Sequence, residues 1–101
     1  GVCQNGEIIG YLSFSSVAGE CYINNIAVHP DYRRKGVAKA MLCELFNIAV
    51  SSYYEFISLE VRESNLSARN LYSAFGFKEE GRRKNYYTAP QEDAIILTRR
   101  F

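Results

Sequence analysis

A run of three basic residues followed by glycine is the strongest candidate for chemistry in this chain. The run is Arg33, Arg34 and Lys35, with Gly36 directly after it and Ala38 two positions further on. A helix that begins here has backbone N–H groups without partners, and the positive end of its dipole attracts phosphate. Gly36 and Ala38 leave room for a phosphate to approach the backbone. The segment predicts a cradle for a phosphate-bearing cofactor; the alternative is a basic helix start that faces solvent.

A strand must enter this cradle and a helix must leave it. Residues 21–28 are rich in Tyr, Ile and Val, which is typical of a strand. Apolar residues then recur at helical spacing from Val37 to Ile48 and predict a helix that packs one face on a sheet. The next strand, residues 54–61, alternates apolar and polar side chains and places Glu60 on the face opposite its apolar neighbours. A strand–helix–strand order predicts a parallel pair with a right-handed crossover.

The other predicted elements complete an α/β (α+β) fold. We predict strands at residues 8–15, 21–28, 54–61, 81–88 and 92–100, and helices at residues 34–51 and 66–75. Gly10 is predicted to mark a bulge, and Gly76 to adopt the left-handed conformation that ends the second helix. The chain contains no repeat, linker or low-complexity segment. We therefore predict a single domain over residues 1–101.

Two sequence motifs frame this predicted core. The first is Arg-x-x-Gly-x-Ala at residues 33–38, preceded by a strand that ends Ile-Ala-Val-x-Pro at residues 26–30. The second is Leu-Glu-Val-Arg at residues 59–62, followed by Asn-x-x-Ala-x-x-Leu-Tyr-x-x-x-Gly-Phe at residues 65–77. Together they resemble the GNAT N-acetyltransferases, which use acetyl-CoA. The Leu-Glu-Val-Arg start and Arg-Lys-Asn-Tyr-Tyr at residues 83–87 look like the RimI-like branch, which acetylates the N-terminal alanine amine of a ribosomal protein.

The resemblance implies a fold, a reaction and a set of site residues. The fold is a GNAT-like mixed, mainly antiparallel sheet with two helices packed on it, and the acetyl group moves directly to the amine in a ternary complex. Glu60 is implied as the general base and Tyr72 as the general acid, while Tyr86 and Tyr87 are implied to lie near the acceptor peptide. The residues implied to bind acetyl-CoA are Ile26, Ala27, Val28, Arg33, Arg34, Lys35, Gly36, Val37, Ala38, Lys39 and Asn65.

Acid–base chemistry favours an α-amine as the acceptor over a lysine amine. An α-amine has a pKa of about 8, so about a tenth of it is neutral at pH 7, whereas a lysine amine at about 10.4 costs roughly 3 kcal/mol more to deprotonate. A carboxylate such as Glu60 is a weak base for an ammonium group, so we expect it to act from a buried position or through water. The thioester carbonyl needs a donor of its own, and a strand-edge N–H near Val28 is the candidate.

Other functions and simpler roles stay open. The chain could be a GNAT enzyme that acts on a small amine or a lysine, or a non-catalytic module that binds acyl-CoA. Glu60 could face solvent, and Tyr72 could serve only core packing. Asn65 could cap the second helix, with or without a contact to the cofactor. His29 is expected to be a turn residue rather than a ligand or a base.

Composition and charge narrow the classes of protein. The chain has 101 residues, of which 48% are hydrophobic and 23% are charged, as expected of a globular domain. A net charge of +1 argues against a general nucleic-acid-binding surface. No apolar run approaches the roughly 20 residues that cross a membrane, and no secretory signal is visible, so we expect a cytoplasmic protein. Cys3, Cys21 and Cys43 lack metal-ligand spacing and predict reduced thiols without a metal site.

The resemblance also implies an N-terminal segment that this sequence does not contain. The family normally has a strand and helices before the first predicted hairpin. Without them we expect an uncovered sheet edge and exposed apolar surface, covered by another chain, for example in a homodimer, or by further sequence of a longer natural protein. The expected partners are acetyl-CoA and an acceptor protein N-terminus, with neither nucleic acid nor membrane.

Overall fold

The computed structural model describes residues 2–4, 7–33 and 36–101. Within these residues the chain forms six strands and two α-helices. Their bounds are β1 (Val2–Gln4), β2 (Glu7–Val17), β3 (Glu20–Val28), α1 (Val37–Ser51), β4 (Phe56–Arg62), α2 (Leu66–Ala74), β5 (Lys78–Thr88) and β6 (Gln91–Arg100). A short 3₁₀ turn, Pro30–Tyr32, lies between β3 and α1.

The strands form one mixed, mainly antiparallel sheet in the order β1-β2-β3-β4-β6-β5, in which the β3–β4 pair is parallel. Helix α1 connects β3 to β4, and α2 connects β4 to β5, in the same direction along the sheet. Right-handed crossovers therefore place both helices on one face. Phe46 of α1 and Phe75 at the end of α2 meet edge to face at 5.7 Å, as this placement requires. The predicted fold class is confirmed.

The hydrophobic core lies between this face of the sheet and the two helices. Leu42, Leu45 and Ala49 of α1 pack on the apolar face of β4. The apolar residues of β4 in this core are Ile57, Leu59 and Val61. Glu60 falls between them in sequence and points to the opposite face of the sheet, as its alternation predicted.

Several predicted boundaries were wrong, and long-range contacts explain them. Strand β4 begins at Phe56 rather than residue 54, because Tyr54 still belongs to the turn after α1 and donates its N–H to Ala49 O at 2.9 Å. Strand β5 begins at Lys78 rather than residue 81 because it pairs with Thr98 of β6. The short β1 was not predicted; it exists through its pairing with β2. Helix α1 begins at Val37, and the predicted helical positions 34 and 35 lie outside the described residues.

Two glycines have a structural reason that the sequence indicated. The β1–β2 ladder is irregular beside Gly10, where Val2 pairs with Gly10 and Cys3 pairs with Ile8. A Cβ at Gly10 would also lie 2.9 Å from Cγ1 of Val37, so glycine permits the close approach of α1. Gly76 has φ +85° and ends α2 in the left-handed conformation, as predicted.

The feature of the sheet that matters most for the site is where β3 separates from β4. Their parallel ladder contains three pairs and ends at Tyr22 and Ser58. A bulge in β3 follows at once: Phe14 of β2 pairs with Ile23, but Ser13 pairs with Asn25, which leaves Asn24 as the extra residue. Beyond the bulge, β3 has described pairs with β2 and none with β4. The two strands therefore diverge and open a gap in the sheet.

Candidate functional site

A cleft of about 920 Å³ lies on the helical face, where the gap between β3 and β4 meets the start of α1. We call it the helix-side cleft. It is lined by Ile26, Ala27 and Val28 of β3, Tyr32 and Arg33 of the turn, Gly36, Val37, Ala38 and Lys39 at the start of α1, and Asn65, Ser67, Ala68, Leu71 and Tyr72 of the second helical segment. All the described residues that the resemblance assigned to acetyl-CoA are therefore together. Arg34 and Lys35 lie outside the described residues.

The start of α1 has the properties of an anion site. Gly36 is its N-cap, with φ +78°, and supplies no side-chain hydrogen bond to the first turn. The first helical bond described runs from Ala40 N–H to Gly36 O at 2.9 Å. A Cβ at Gly36 would meet no described atom within 4 Å, so this position faces open space in the cleft. Glycine is needed here for its left-handed backbone, and its open side is where a phosphate can approach.

The exposed edge of β3 supplies backbone donors and acceptors to the same cleft. His29 donates its N–H to Ile9 O of β2 at 2.7 Å. Because successive backbone groups of a strand point in opposite directions, the N–H of Val28 points away from β2 and into the gap. The Val28 carbonyl accepts a hydrogen bond from Nε of Arg33 at 3.4 Å, which holds this side chain at the cleft. The strand-edge donor predicted near Val28 is therefore in an accessible position.

Asn65 lies on the opposite side of the cleft and also caps α2. Its Oδ1 accepts the N–H of Ala68 at 3.2 Å, which is the capping role considered from the sequence. Its Nδ2 makes no hydrogen bond to any described residue, so this donor remains available to a ligand. The capping and ligand-binding roles are compatible because they use different atoms of the same amide.

Tyr72 combines core packing with a polar group in the cleft. The residue is 3% exposed, and its ring packs edge-on against Phe77 with 5.5 Å between centroids. Its hydroxyl forms no hydrogen bond with the described part of the chain, although Tyr72 lines the cleft. Burial raises the pKa of Tyr72 to about 12, so the phenol stays protonated at neutral pH. It can therefore act as a hydrogen-bond donor inside the cleft.

A second depression, of about 650 Å³, lies on the opposite face of the sheet and contains Glu60. We call it the sheet-side pocket. Its lining includes Tyr22, Ile23, Asn24, Phe56, Ser58, Leu59, Glu60, Glu80, Arg83, Tyr86, Tyr87, Ile96, Thr98 and Arg100. The Glu60 side chain is 29% exposed and forms a salt bridge with Nε of Arg83 at 2.8 Å. Glu60 is therefore a partly exposed carboxylate with a fixed partner, rather than a simple solvent-facing residue.

Tyr86 and Tyr87 join Glu60 in this pocket. Their rings meet edge to face at 5.1 Å, and the guanidinium of Arg62 lies 4.2 Å from the centre of the Tyr87 ring. Burial, and then the negative charge of Glu60, raise the pKa of Tyr87. The placement of the tyrosines beside Glu60 agrees with their predicted location near an acceptor, and their role stays a prediction.

The two predicted acid–base residues lie on opposite faces of the sheet. Tyr72 is in the helix-side cleft and Glu60 is in the sheet-side pocket. Strand β3 borders both depressions: Ile23 and Asn24 line the pocket, and Ile26 and Val28 line the cleft. Arg83 was missed from the sequence, since its contact with Glu60 depends on how β5, β6 and β4 align across the sheet.

His29 has the turn role that the sequence favoured, and two of the three cysteines are described. His29 Nδ1 accepts the N–H of Asp31 at 3.2 Å in the turn after β3. Cys21 is buried and Cys43 is exposed, and both are free thiols. Burial raises the pKa of the Cys21 thiol, which disfavours a nucleophilic role.

Among the described residues, no group of three His, Cys, Asp or Glu side chains could hold a metal ion. None of the helices in the described ranges is suited in length and apolarity to cross a bilayer.

A comparison with protein families identifies the family. The sequence model described as the acetyltransferase (GNAT) family matches residues 1–77. The chain belongs to this family. The [ribosomal protein bS18]-alanine N-acetyltransferase of Escherichia coli K12 is 41% identical over 96 residues, which cover 93% of this chain and 65% of that protein. The protein of the same name from Haemophilus influenzae is 39% identical over 97 residues, or 93% of this chain and 66% of that protein.

Solved GNAT structures share the fold described above. The crystal structure of the ribosomal-protein-S18-alanine N-acetyltransferase from Escherichia coli aligns with a TM-score of 0.90 at 40% identity, over 95% of this chain and 63% of that one. A GNAT family acetyltransferase from Elizabethkingia anophelis, crystallised with acetyl-CoA, aligns with a TM-score of 0.89 at 23% identity, over 98% and 72% of the two chains. The chain thus spans slightly less than two thirds of the bS18-alanine N-acetyltransferases named above, and the predicted resemblance is confirmed.

Proposed function

We propose that this chain transfers an acetyl group from acetyl-CoA to the α-amine of a peptide or protein N-terminus, with the N-terminal alanine of ribosomal protein bS18 as the acceptor. The observation that carries the proposal is the separation of β3 from β4 beyond Tyr22 and Ser58, with the helix-side cleft on one face of the sheet and the sheet-side pocket on the other. A donor held on one face of the sheet can thereby reach an amine held on the other. Tyr72 and Glu60, the two groups implied by the resemblance, are proposed to act from the two sides of this gap.

The residues of the helix-side cleft fit the chemistry of acetyl-CoA. The open backbone at Gly36 and the first turn of α1 suit a pyrophosphate, with Arg33 beside them. The free edge of β3 and Nδ2 of Asn65 can hydrogen-bond the amides of a pantetheine arm, as a strand edge does with an extended peptide. Bound acetyl-CoA supplies an activated thioester. Arg34 and Lys35 are still predicted to add positive charge near the pyrophosphate.

Glu60 is the proposed proton acceptor, and Tyr72 is the proposed hydrogen-bond donor to the leaving sulfur. Glu60 accepts the proton of the acceptor amine, directly or through water, and Arg83 holds its carboxylate in place. Full proton transfer from Tyr72, with its pKa of about 12, to a thiolate of about 8.5 is uphill by about 5 kcal/mol. Tyr72 therefore stabilises the departing sulfur by a hydrogen bond. The N–H of Val28 can do the same for the thioester oxygen.

The acceptor is proposed from both chemistry and relatives. An α-amine has a lower pKa than a lysine amine, so a single carboxylate can deprotonate it more easily. The relatives named above are called [ribosomal protein bS18]-alanine N-acetyltransferases. Tyr86 and Tyr87 are proposed to contact the first residues of this acceptor. The homodimer and the cytoplasmic location remain predictions.

A turnover experiment tests the proposal. The chain is incubated with acetyl-CoA and a peptide carrying the bS18 N-terminus, and release of free CoA thiol is followed while mass spectrometry locates the acetyl group. The same peptide with a blocked N-terminus, a lysine-containing peptide, a polyamine and an aminoglycoside are the controls. Acetylation of the free N-terminal alanine alone supports the proposal. Turnover of only the small amines or lysine indicates the alternative GNAT activity, and acetyl-CoA binding without any turnover indicates an acyl-CoA-binding module.

A further inference from the structure

The first residues of β6 carry two adjacent carboxylates whose bonds lead to both sides of the site. They are Glu92 and Asp93, and their side chains are 16% and 22% exposed. Because successive residues of a strand point in opposite directions, the two carboxylates reach different segments. We call them the acidic pair. No motif singled them out in the sequence, and neither residue lines the helix-side cleft or the sheet-side pocket.

Glu92 holds the segment that leads into α2. Its Oε2 accepts the N–H of Ser64 at 2.6 Å, and Ser64 directly precedes Asn65 of the helix-side cleft. Its Oε1 lies 3.3 Å from Nη1 of Arg62, the guanidinium that stacks on Tyr87. Hydrogen bonds to a charged acceptor are among the stronger ones in proteins, so these contacts restrict both the segment and the arginine.

Asp93 holds the irregular part of β5. In the β5–β6 ladder Arg83 pairs with Ala94 and Tyr87 with Glu92, so three β5 residues face the single residue Asp93. Its Oδ1 accepts the N–H of Asn85 at 2.9 Å, and Asn85 has φ +52° and directly precedes Tyr86. Its Oδ2 accepts from Arg82 at 2.8 Å. The carboxylate therefore accepts one backbone N–H, that of Asn85, within the part of β5 where the regular ladder is interrupted.

The same pair also joins the two segments to each other. The backbone carbonyl of Asp93 accepts the N–H of Glu63 at 3.1 Å, and Arg82 lies 2.9 Å from the Glu63 carboxylate. One short stretch of β6 thus fixes the segment before Asn65 and the bulge before Tyr86. Hydrogen bonds from Ser64 and Asn85 lower the pKa values of Glu92 and Asp93, so both stay ionised at neutral pH.

We propose that Glu92 and Asp93 are positioning residues that hold the acetyl-CoA side and the acceptor side of the site at a fixed separation. This inference rests on the proposed function, because it assigns Asn65 to the acetyl-CoA side and Tyr86 to the acceptor side. Asp93 acts on the acceptor through Asn85. Glu92 acts on acetyl-CoA through Ser64, and on the acceptor through Arg62.

Steady-state kinetics with both substrates tests the assignment. Asp93→Ala should raise the KM for the peptide about tenfold, the scale of one lost charge-assisted hydrogen bond, and leave the affinity for acetyl-CoA within about twofold. Asp93→Asn keeps an oxygen for the Asn85 N–H and should recover most of this loss. Glu92→Ala should weaken the binding of both substrates. Glu79→Ala, a charge removal on β5 outside both depressions, is the matched control and should change neither.

The outcomes separate this inference from the proposed function. If the wild-type chain acetylates the peptide but Asp93→Ala changes only the melting temperature, or changes both substrates equally, the positioning role is wrong and the activity stands. If the wild-type chain neither binds nor acetylates the peptide, both proposals are wrong. If the variants fail to fold, hydrogen exchange on the wild-type chain provides a second test. The Asn85 amide should exchange more slowly when peptide binds, and an unchanged exchange rate would overturn the assignment.

Discussion

The proposed pyrophosphate site can be tested at Gly36, where two separate physical demands fall on one residue. Its φ of +78° is in the left-handed region, and a side chain there would point into open space rather than into protein. Replacing it therefore strains the backbone of the folded chain and, independently, obstructs the cradle. Alanine, asparagine and glutamate differ in how much they strain the backbone and in how much they obstruct the phosphate site. A series of these three substitutions at Gly36 therefore distinguishes the two effects.

The loss of stability on replacing Gly36 depends on how well each residue tolerates the left-handed backbone conformation. Alanine in the left-handed region costs roughly 1–2 kcal/mol, which lowers the melting temperature of a domain of this size by about 5–15 °C. Asparagine tolerates this region better and should cost less. The matched control is Gly19→Ala in the β2–β3 turn: Gly19 has φ +83°, and an added Cβ there makes only an ordinary contact, 3.6 Å from Glu55 Cγ. It should lose similar stability and keep its affinity.

The loss of acetyl-CoA affinity depends instead on the size and charge of the side chain introduced at Gly36. Affinity for acetyl-CoA should fall in the order Gly, Ala, Asn, Glu. A carboxylate within about 4 Å of a phosphate costs about 4 kcal/mol at an effective dielectric constant of about 20, so Gly36→Glu should lose at least about a hundredfold. Calorimetric titration measures affinity and thermal denaturation measures stability. If Gly36→Glu binds as tightly as the wild type, or if affinity simply follows the melting temperature, the pyrophosphate does not bind at this helix start.

Three further predictions concern the acid–base residues and the acidic pair. Glu60→Gln should lower kcat about a hundredfold in the peptide assay with little change in acetyl-CoA affinity; an unchanged rate would remove Glu60 from the reaction. Tyr72→Phe should lower kcat by about a hundredfold without lowering the melting temperature, and wild-type kcat should show no loss from Tyr72 ionisation below about pH 10. Folding lowers the pKa values of Glu92 and Asp93, so the unfolded chain binds more protons than the folded chain as the pH falls. The stability that these two carboxylates contribute is therefore complete above about pH 5 and is lost on acidification. In urea denaturation, the difference between the wild type and Glu92→Gln should shrink as the pH falls below about 4, and a constant difference would contradict this linkage.

The parts of the fold that depend on local pattern could be predicted from the sequence. The spacing of Leu45 and its neighbours predicted helix α1, the alternation in β4 predicted the direction of Glu60, and Gly76 predicted the end of α2. These features depend on periods of a few residues, which a sequence shows directly. The segments of the helix-side cleft, in contrast, were grouped through the resemblance to the GNAT family that their motifs carry.

The parts that depend on pairing between distant segments could not be predicted. The Glu60–Arg83 salt bridge joins residues that are 23 positions apart, and it requires the register of β4 with β6 and of β6 with β5. The bulge at Asn24 follows from how β3 aligns with β2, since neither strand contains a distinctive residue at that point. The acidic pair looked like ordinary residues at the start of a strand, because its partners come from three other segments.

Under the proposed function, the bulge at Asn24 allows two residues on opposite faces of a sheet to act in one reaction. In a continuous β3–β4 ladder, backbone hydrogen bonds would close the sheet between Tyr72 and Glu60, and no substrate could contact both. The ladder instead ends at Tyr22 and Ser58, immediately before the bulge, and the edge of β3 that carries Val28 is left open. We propose that the same irregularity provides hydrogen-bonding groups for an extended ligand and an opening for its reactive end. On this reasoning the geometry of the proposed site is set by backbone pairing, and Glu60 and Tyr72 depend on it.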